Sequence, residues 1–253
     1  MSVETPALSF RNLTKGFGHK LAVNDFTLDV PQGSLFGLVG PNGAGKTTAL
    51  SMATGLLTPD AGEVFALGIN VWDDPISAKA RTGVLPDGLQ TFDRLTGPEL
   101  LRYTGLLRGL TESEISDRSA SLIHTLGLEE AGRSLVVDYS AGMKKKIGLA
   151  AALIHSPKLL ILDEPFEAVD PVSSQTIRGI LKQLVARGGT VVLSSHVMEL
   201  VEQLCDHVAV VHHGQLLATG TVREVQAGVS LQDRFVQMVG GGVSSAEGLE
   251  WLG

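Results

Sequence analysis

The chain has 253 residues, 43% of them hydrophobic and 19% charged, with a formal net charge of −7 and a sequence pI near 5.5. Such a chain buries a sizeable core as one domain or a domain with a subdomain, and its composition excludes a disordered polypeptide. The acidic balance gives no footprint for bulk nucleic-acid binding, and a single cysteine, Cys205, excludes an internal disulfide or a cysteine-rich metal site.

One cysteine fits a reducing compartment. Glu4 and Pro6 interrupt any apolar run at the start, so no secretory signal is expected. The longest apolar stretches, such as Ile147 to Ile154, are too short to span a bilayer. Any membrane role is therefore expected to come through a partner or a surface contact.

In chain order, residues 1–39 read as β-rich. The segments "ALSFRNLTKGF" and "LAVNDFTLDVPQG" alternate apolar and polar residues, as half-buried antiparallel strands do. "SLFGLV" (34–39) is a continuous apolar run suited to a strand buried on both faces. A helix follows from about Lys46 to Thr54, closed by Gly55, and "TPDAGEV" (58–64) turns back into β structure. From Gly97 to about Gly127 the pattern is helical, with Leu100, Tyr103, Leu106, Leu107 and Leu110 on one spacing and Pro98 in a first turn.

Beyond this helical insert come a helix over about 141–154, the strand "LLILD" (159–163) and a helix over about 172–187. Then follow the strand "TVVLSS" (190–195), a short helix over about 197–204 and a closing hairpin, "HVAVVHHGQLLATG". Alternating buried strands and helices predict an α/β fold with a mostly parallel sheet. The tail from Gly240 to Gly253 shows little pattern and is expected to be flexible.

Three motifs carry chemistry. "GPNGAGKTT" (40–48) fits G-x-x-x-x-G-K-[ST] through Gly40, Gly45, Lys46 and Thr47, and it lies between a predicted buried strand and a predicted helix. Backbone N–H groups of Asn42, Gly43, Ala44, Gly45 and Thr48 then cradle phosphates at a helix N-terminus. Lys46 reaches the β- and γ-phosphates, and the Thr47 hydroxyl is a ligand for Mg²⁺. "LLILDEP" ends in Asp163 and Glu164 at the carboxyl end of a strand, where ligands of a parallel sheet sit. Asp163 is placed to hold Mg²⁺ and Glu164 to polarise an attacking water. His196, after "LSS", falls at the same sheet edge and is placed to touch a γ-phosphate. His212 and His213 read as hairpin residues.

These motifs in this order, with "YSAGM" (139–143), "EAVD" (167–170) and "SSH" (194–196), resemble the nucleotide-binding ATPase subunit of ABC transporters over about residues 5–225. The resemblance implies a P-loop ATPase core with an N-terminal antiparallel β subdomain (about 5–87 and 157–225), a helical subdomain (about 88–156) and a C-terminal helix or tail (226–253). It implies ATP and Mg²⁺ as ligands. It also implies two ATPase subunits, identical or different, meeting head to tail, so that Ser140, Ala141 and Gly142 of one reach the ATP of the other, with Asp170 at the interface. Phe17 matches the aromatic that stacks on adenine, and Val23 would flank the ribose. Lys144, Lys145 and Lys146 either add positive potential to the helix that follows or form a solvated face.

Two departures stand out. The family's usual glutamine in the loop joining core to helical insert is replaced, within "GVLPDGLQTFDRLTG" (83–97), by Asp87, with Gln90 offset; Asp87 still offers Mg²⁺ or its water an oxygen. In the signature, Ala141 and Met143 stand where glycine and glutamine are usual. "YSAGMKKK" resembles the variant in ATPase subunits of ABC-2-type exporters. That implies separate permease subunits, with a permease helix held near Phe92 to Leu95, and a location on the cytoplasmic face of the membrane. An ABC-type ATPase acting without a permease, such as a cofactor-assembly scaffold, is the alternative. A kinase or GTPase would leave "YSAGM" and "SSH" unexplained.

Overall fold

The computed structural model describes residues 5–88 and 94–240. The expectations for Gln90, Phe92 and the tail from residue 241 onward lie outside the described residues.

Two sheets organise the chain. β1 (Leu8–Phe17), β2 (Lys20–Val30), β4 (Ala61–Ala66) and the short β5 (Ile69–Asn70) form an antiparallel sheet in the order β2-β1-β4-β5. The second sheet comprises β3 (Leu35–Val39), β6 (Thr82–Leu85), β7 (Leu159–Leu162), β8 (Thr190–Ser195), β9 (His207–His212) and β10 (Gln215–Thr221). Its order is β10-β9-β3-β8-β7-β6, parallel throughout except for the β9–β10 hairpin.

Both faces of this second sheet are covered, and its central strands β3, β8 and β7 are buried at every position. Strand alternation divides their side chains between two cores. Leu35, Val39, Leu160, Leu162, Val191 and Leu193 join one core with Leu101 and Ile115 of the helical insert and Ile147 of the helix beyond it. Phe36, Leu38, Leu159, Ile161 and Val192 join the other with Phe10, Phe26 and Leu50 from the antiparallel sheet side.

The helices are α1 (Lys46–Ala53), α2 (Pro75–Ala80), α3 (Gly97–Leu107), α4 (Glu112–Thr125), α5 (Ala141–Leu153), α6 (Pro171–Ala186), α7 (Met198–Leu204), α8 (Val222–Gln226) and α9 (Leu231–Met238). Thr96 with Glu99 and Thr111 with Glu114 form capping boxes that start α3 and α4. Gly55, at φ +71°, ends α1 as expected.

The main departure from the sequence reading is β6. The stretch from residue 83 reads as a connecting loop, yet residues 82–85 pair in parallel register with β7. Gly83 permits this: a Cβ there would lie 2.2 Å from the carbonyl oxygen of Ala152, so only glycine lets α5 sit this close to the strand. β6 thus brings Asp87 to the same sheet edge as Asp163. At the other end of the chain, α9 turns Leu231 and Phe235 onto the core.

Candidate functional site

The C-terminal ends of β3, β8, β7 and β6 lie side by side, so the segments that follow them converge. They enclose a cavity of about 410 Å³ lined by Phe17, Ala22, residues 42–48, Asp87, Glu164, Glu167 and His196.

The loop after β3 is shaped by glycine. Gly40 sits against β9, where a Cβ would meet the Val211 carbonyl oxygen at 2.1 Å. Gly45 adopts φ +104°, and a Cβ there would lie 2.2 Å from the Ala22 carbonyl oxygen. Helices α3, α4, α5, α6 and α9 each begin with a side-chain cap, whereas α1 begins at Gly45 with none. Its first N–H groups therefore face the cavity without a side-chain acceptor, the arrangement that binds an anion.

Lys46 is only 5% exposed. Its ammonium donates to the carbonyls of Gly40 at 2.7 Å and Pro41 at 3.2 Å, and lies 3.7 Å from Glu164 Oε1. Burial pushes its pKa below the ordinary value, and the carboxylates of Glu164 and Asp163 partly offset this.

Glu164 has φ +46°, a left-handed backbone uncommon for a residue with a Cβ. Ser194 holds it there: the Glu164 N–H donates to Ser194 Oγ at 2.9 Å, and that hydroxyl donates to Asp163 Oδ1. Glu164 Oε2 lies 3.0 Å from His196 Nδ1. One carboxylate is thus flanked by the ammonium of Lys46 and the imidazole of His196. Ser194 has no place among the expected site residues. Its signal was its position, directly opposite the acids on the neighbouring strand and two residues before His196.

Thr47, Asp87 and Asp163 line one adjoining cavity of about 140 Å³. Their donors are oxygens only, a set that suits Mg²⁺. Asp87 is partly engaged already: its Oδ1 accepts from the Gly88 N–H at 2.9 Å and from Lys145 Nζ at 3.3 Å.

Phe17 is 53% exposed at the cavity mouth, with Lys15 Nζ 5.9 Å from its ring centre. Val23 is not at the cavity. It is 1% exposed in the core, and strand alternation makes its neighbour Ala22 the lining residue, which corrects the ribose-flanking expectation.

Ser140, Ala141, Gly142 and Asp170 do not line this cavity either. Ser140 caps α5 through the Met143 N–H at 3.3 Å, and Asp170 caps α6 through the Ser173 N–H at 2.9 Å. Hydrogen bonding from the Ser173 side chain, and then from its N–H, lowers the Asp170 pKa. Gly142 packs on the loop before α6, where a Cβ would lie 2.8 Å from the Ala168 carbonyl oxygen. Lys145 is not part of a solvated face: its side chain is 13% exposed and turns toward the acidic strand ends.

A family model described as ABC transporter matches residues 23–167. Linearmycin resistance ATP-binding protein LnrL of Bacillus subtilis (strain 168) is 36% identical over 239 residues, covering 94% of this chain and 76% of that protein. Nod factor export ATP-binding protein I of Cupriavidus metallidurans is 38% identical over 225 residues, covering 87% of this chain and 73% of that protein. A solved ATP-binding subunit of an ABC transporter superposes with a TM-score of 0.86 at 29% identity, covering 92% of this chain and 99% of that one. The chain belongs to the ABC transporter family, as an ATP-binding subunit that hydrolyses ATP to power transport, and its relatives include ATP-binding proteins named for export and for resistance.

Proposed function

We propose that this chain pairs head to tail with a second ATPase subunit around two ATP molecules and powers export through separate permease subunits. The observation that carries this reading is an incomplete site. The phosphate loop, acids and histidine share one cavity, while Ser140, Ala141 and Asp170 lie exposed outside it and Gly142 partly buried beside them. The start of α5 offers the N–H groups of Ala141 and Gly142 and the Ser140 hydroxyl, all suited to an anion supplied by another subunit.

Within the cavity the roles follow from placement. The uncapped start of α1 and Lys46 bind the phosphates, and the exposed Phe17 ring offers a face to adenine. Glu164 takes a proton from the attacking water, and His196, hydrogen-bonded to it, orients its carboxylate and reaches toward the γ-phosphate. Ser194 fixes both acids. Thr47, Asp163 and Asp87 would hold Mg²⁺. When bound, that ion supplies neutralisation of phosphate charge.

No helix among the described residues is long and apolar enough to cross a membrane, so the transport path is assigned to separate chains on whose cytoplasmic side this subunit docks. The relatives carrying export and resistance names favour export over a permease-free scaffold role. In this scheme residues 88–156 form the helical subdomain facing the permease.

Complementation tests the pairing. Lys46→Ala lacks a phosphate-binding cation, and Ser140→Arg blocks the signature presented to the partner. Each variant alone should be inactive, and mixing them should restore hydrolysis at the one site formed from two intact halves. Folded variants that never complement would contradict the head-to-tail arrangement.

A further inference from the structure

Lys145 lies five residues into α5, whose exposed start carries Ser140 as its cap. About one and a half turns separate them, so the lysine belongs to a different part of the surface from the signature. Its side chain runs inward to the acidic strand ends. Nζ donates to Asp87 Oδ1 at 3.3 Å and to the main-chain carbonyl of Asp163 at 3.3 Å.

Carboxylates surround that contact, although Lys20 and Lys46 also line the cavity. Asp87, Glu164 and Glu167 all line the cavity, with Asp163 just behind them. The cation most deeply placed there, Lys46, already faces Glu164 and two carbonyls. An uncompensated carboxylate at Asp87 would repel the phosphates of an incoming nucleotide.

We propose that Lys145 is the counter-cation of Asp87, a positioning residue that masks this carboxylate from the nucleotide phosphates and ties α5 to the loop after β6. The inference rests on the nucleotide-binding reading of the cavity. The chain departs from the usual glutamine at Asp87, and Lys145 supplies the charge that makes the departure compatible with triphosphate binding. A second donation to the Asp163 carbonyl holds the lysine in place even while Asp87, 44% exposed in its side chain, moves.

The test uses four full-length proteins: wild type, Lys145→Gln, Asp87→Asn and the double variant. The first readout is ATP affinity by calorimetry in chelator, without divalent metal, so that metal ligation by Asp87 plays no part. The second is the melting temperature without nucleotide, which confirms folding. Lys145→Gln should weaken metal-free ATP binding by about tenfold, the scale of one unmasked charge at the edge of a half-exposed site, with the deficit shrinking in high salt. Asp87→Asn alone should bind metal-free ATP at least as tightly as wild type. Adding Asp87→Asn to Lys145→Gln should restore the lost affinity.

A double variant as weak as Lys145→Gln would overturn the proposal and place the effect of Lys145 in its bond to the Asp163 carbonyl. Unchanged affinity in Lys145→Gln would overturn it as well. Failure of the wild type to bind ATP would overturn the nucleotide reading itself, and the inference with it.

Discussion

Replacing Ser194 by alanine probes the hydrogen bonds that join the two acids. Ser194 is 0% exposed, and its hydroxyl both accepts from the Glu164 N–H at 2.9 Å and donates to Asp163 Oδ1. Removing it leaves a part-buried N–H without its acceptor, costing about 1–3 kcal/mol, and takes a charge-assisted bond worth about 1.5–3 kcal/mol from a carboxylate. The two losses share one atom and do not add fully, so about 2–5 kcal/mol is expected. At about 2–4 °C per kcal/mol for a chain of this size, the melting temperature should fall by roughly 4–20 °C. The control is Ser195→Ala on the same strand. Ser195 Oγ accepts from the Val197 N–H at 3.0 Å, but Val197 is 45% exposed, so water can replace the bond and the cost should stay near about 1 kcal/mol. Circular dichroism melts of the nucleotide-free proteins measure both. Turnover adds a second reading, because Glu164 depends on Ser194 to hold its left-handed backbone at φ +46°. kcat should fall more than KM rises. A Ser194→Ala protein that melts like Ser195→Ala and turns over like wild type would refute the assignment.

Four further outcomes follow from the same geometry. Glu164→Gln should keep ATP binding, favour a closed dimer and lose turnover by about a hundredfold or more, the usual share of a general base, as single-turnover assays would show. Phe17→Ala should weaken ATP affinity by about tenfold with little change in melting temperature, since a half-exposed ring contributes stacking rather than core packing. Cys205, 8% exposed and with its thiol pKa pushed up by burial, should stay unreactive to a thiol reagent until the protein unfolds. His155 provides a pH test: burial, chiefly, and then the nearby Arg108 lower its pKa from 6.5 to about 4. Between those values the unfolded chain binds the proton and the folded one does not. Stability should therefore fall as pH drops from about 6.5 toward about 4, by at most about 3 kcal/mol and less after solvent screening. His155→Gln should flatten that part of the curve in pH-dependent melts.

Much of this was legible in the sequence because the signals were local. "SLFGLV" and "LLILD" read as strands buried on both faces, and both are central in the sheet. The glycine-rich loop between a strand and a helix predicts the phosphate cradle, and Asp163, Glu164 and His196 fall at neighbouring strand ends as the parallel sheet requires. What stayed hidden depends on contacts far apart in the chain. β6 has four residues including a glycine, too short for periodicity to speak, and it is a strand only because β7 pairs with it. Ser194 stands in the "SSH" motif, but its link to both acids appears only with β8 and β7 side by side. Val23 and Ala22 differ by one position of strand alternation, which turns Ala22 to the cavity and Val23 into the core. Three consecutive lysines leave added positive potential and a solvated face both open; only the packing of α5 on β6 shows that Lys145 points inward.

The account stands or falls on whether two subunits build each catalytic site. The direct measurement is Mg²⁺-dependent ATP hydrolysis by the purified chain across a wide range of protein concentrations, with Glu164→Gln alongside. Specific activity should rise with concentration as dimers form and vanish in the variant. Specific activity that is constant down to concentrations at which the chain sediments as a monomer would contradict a site completed by a partner.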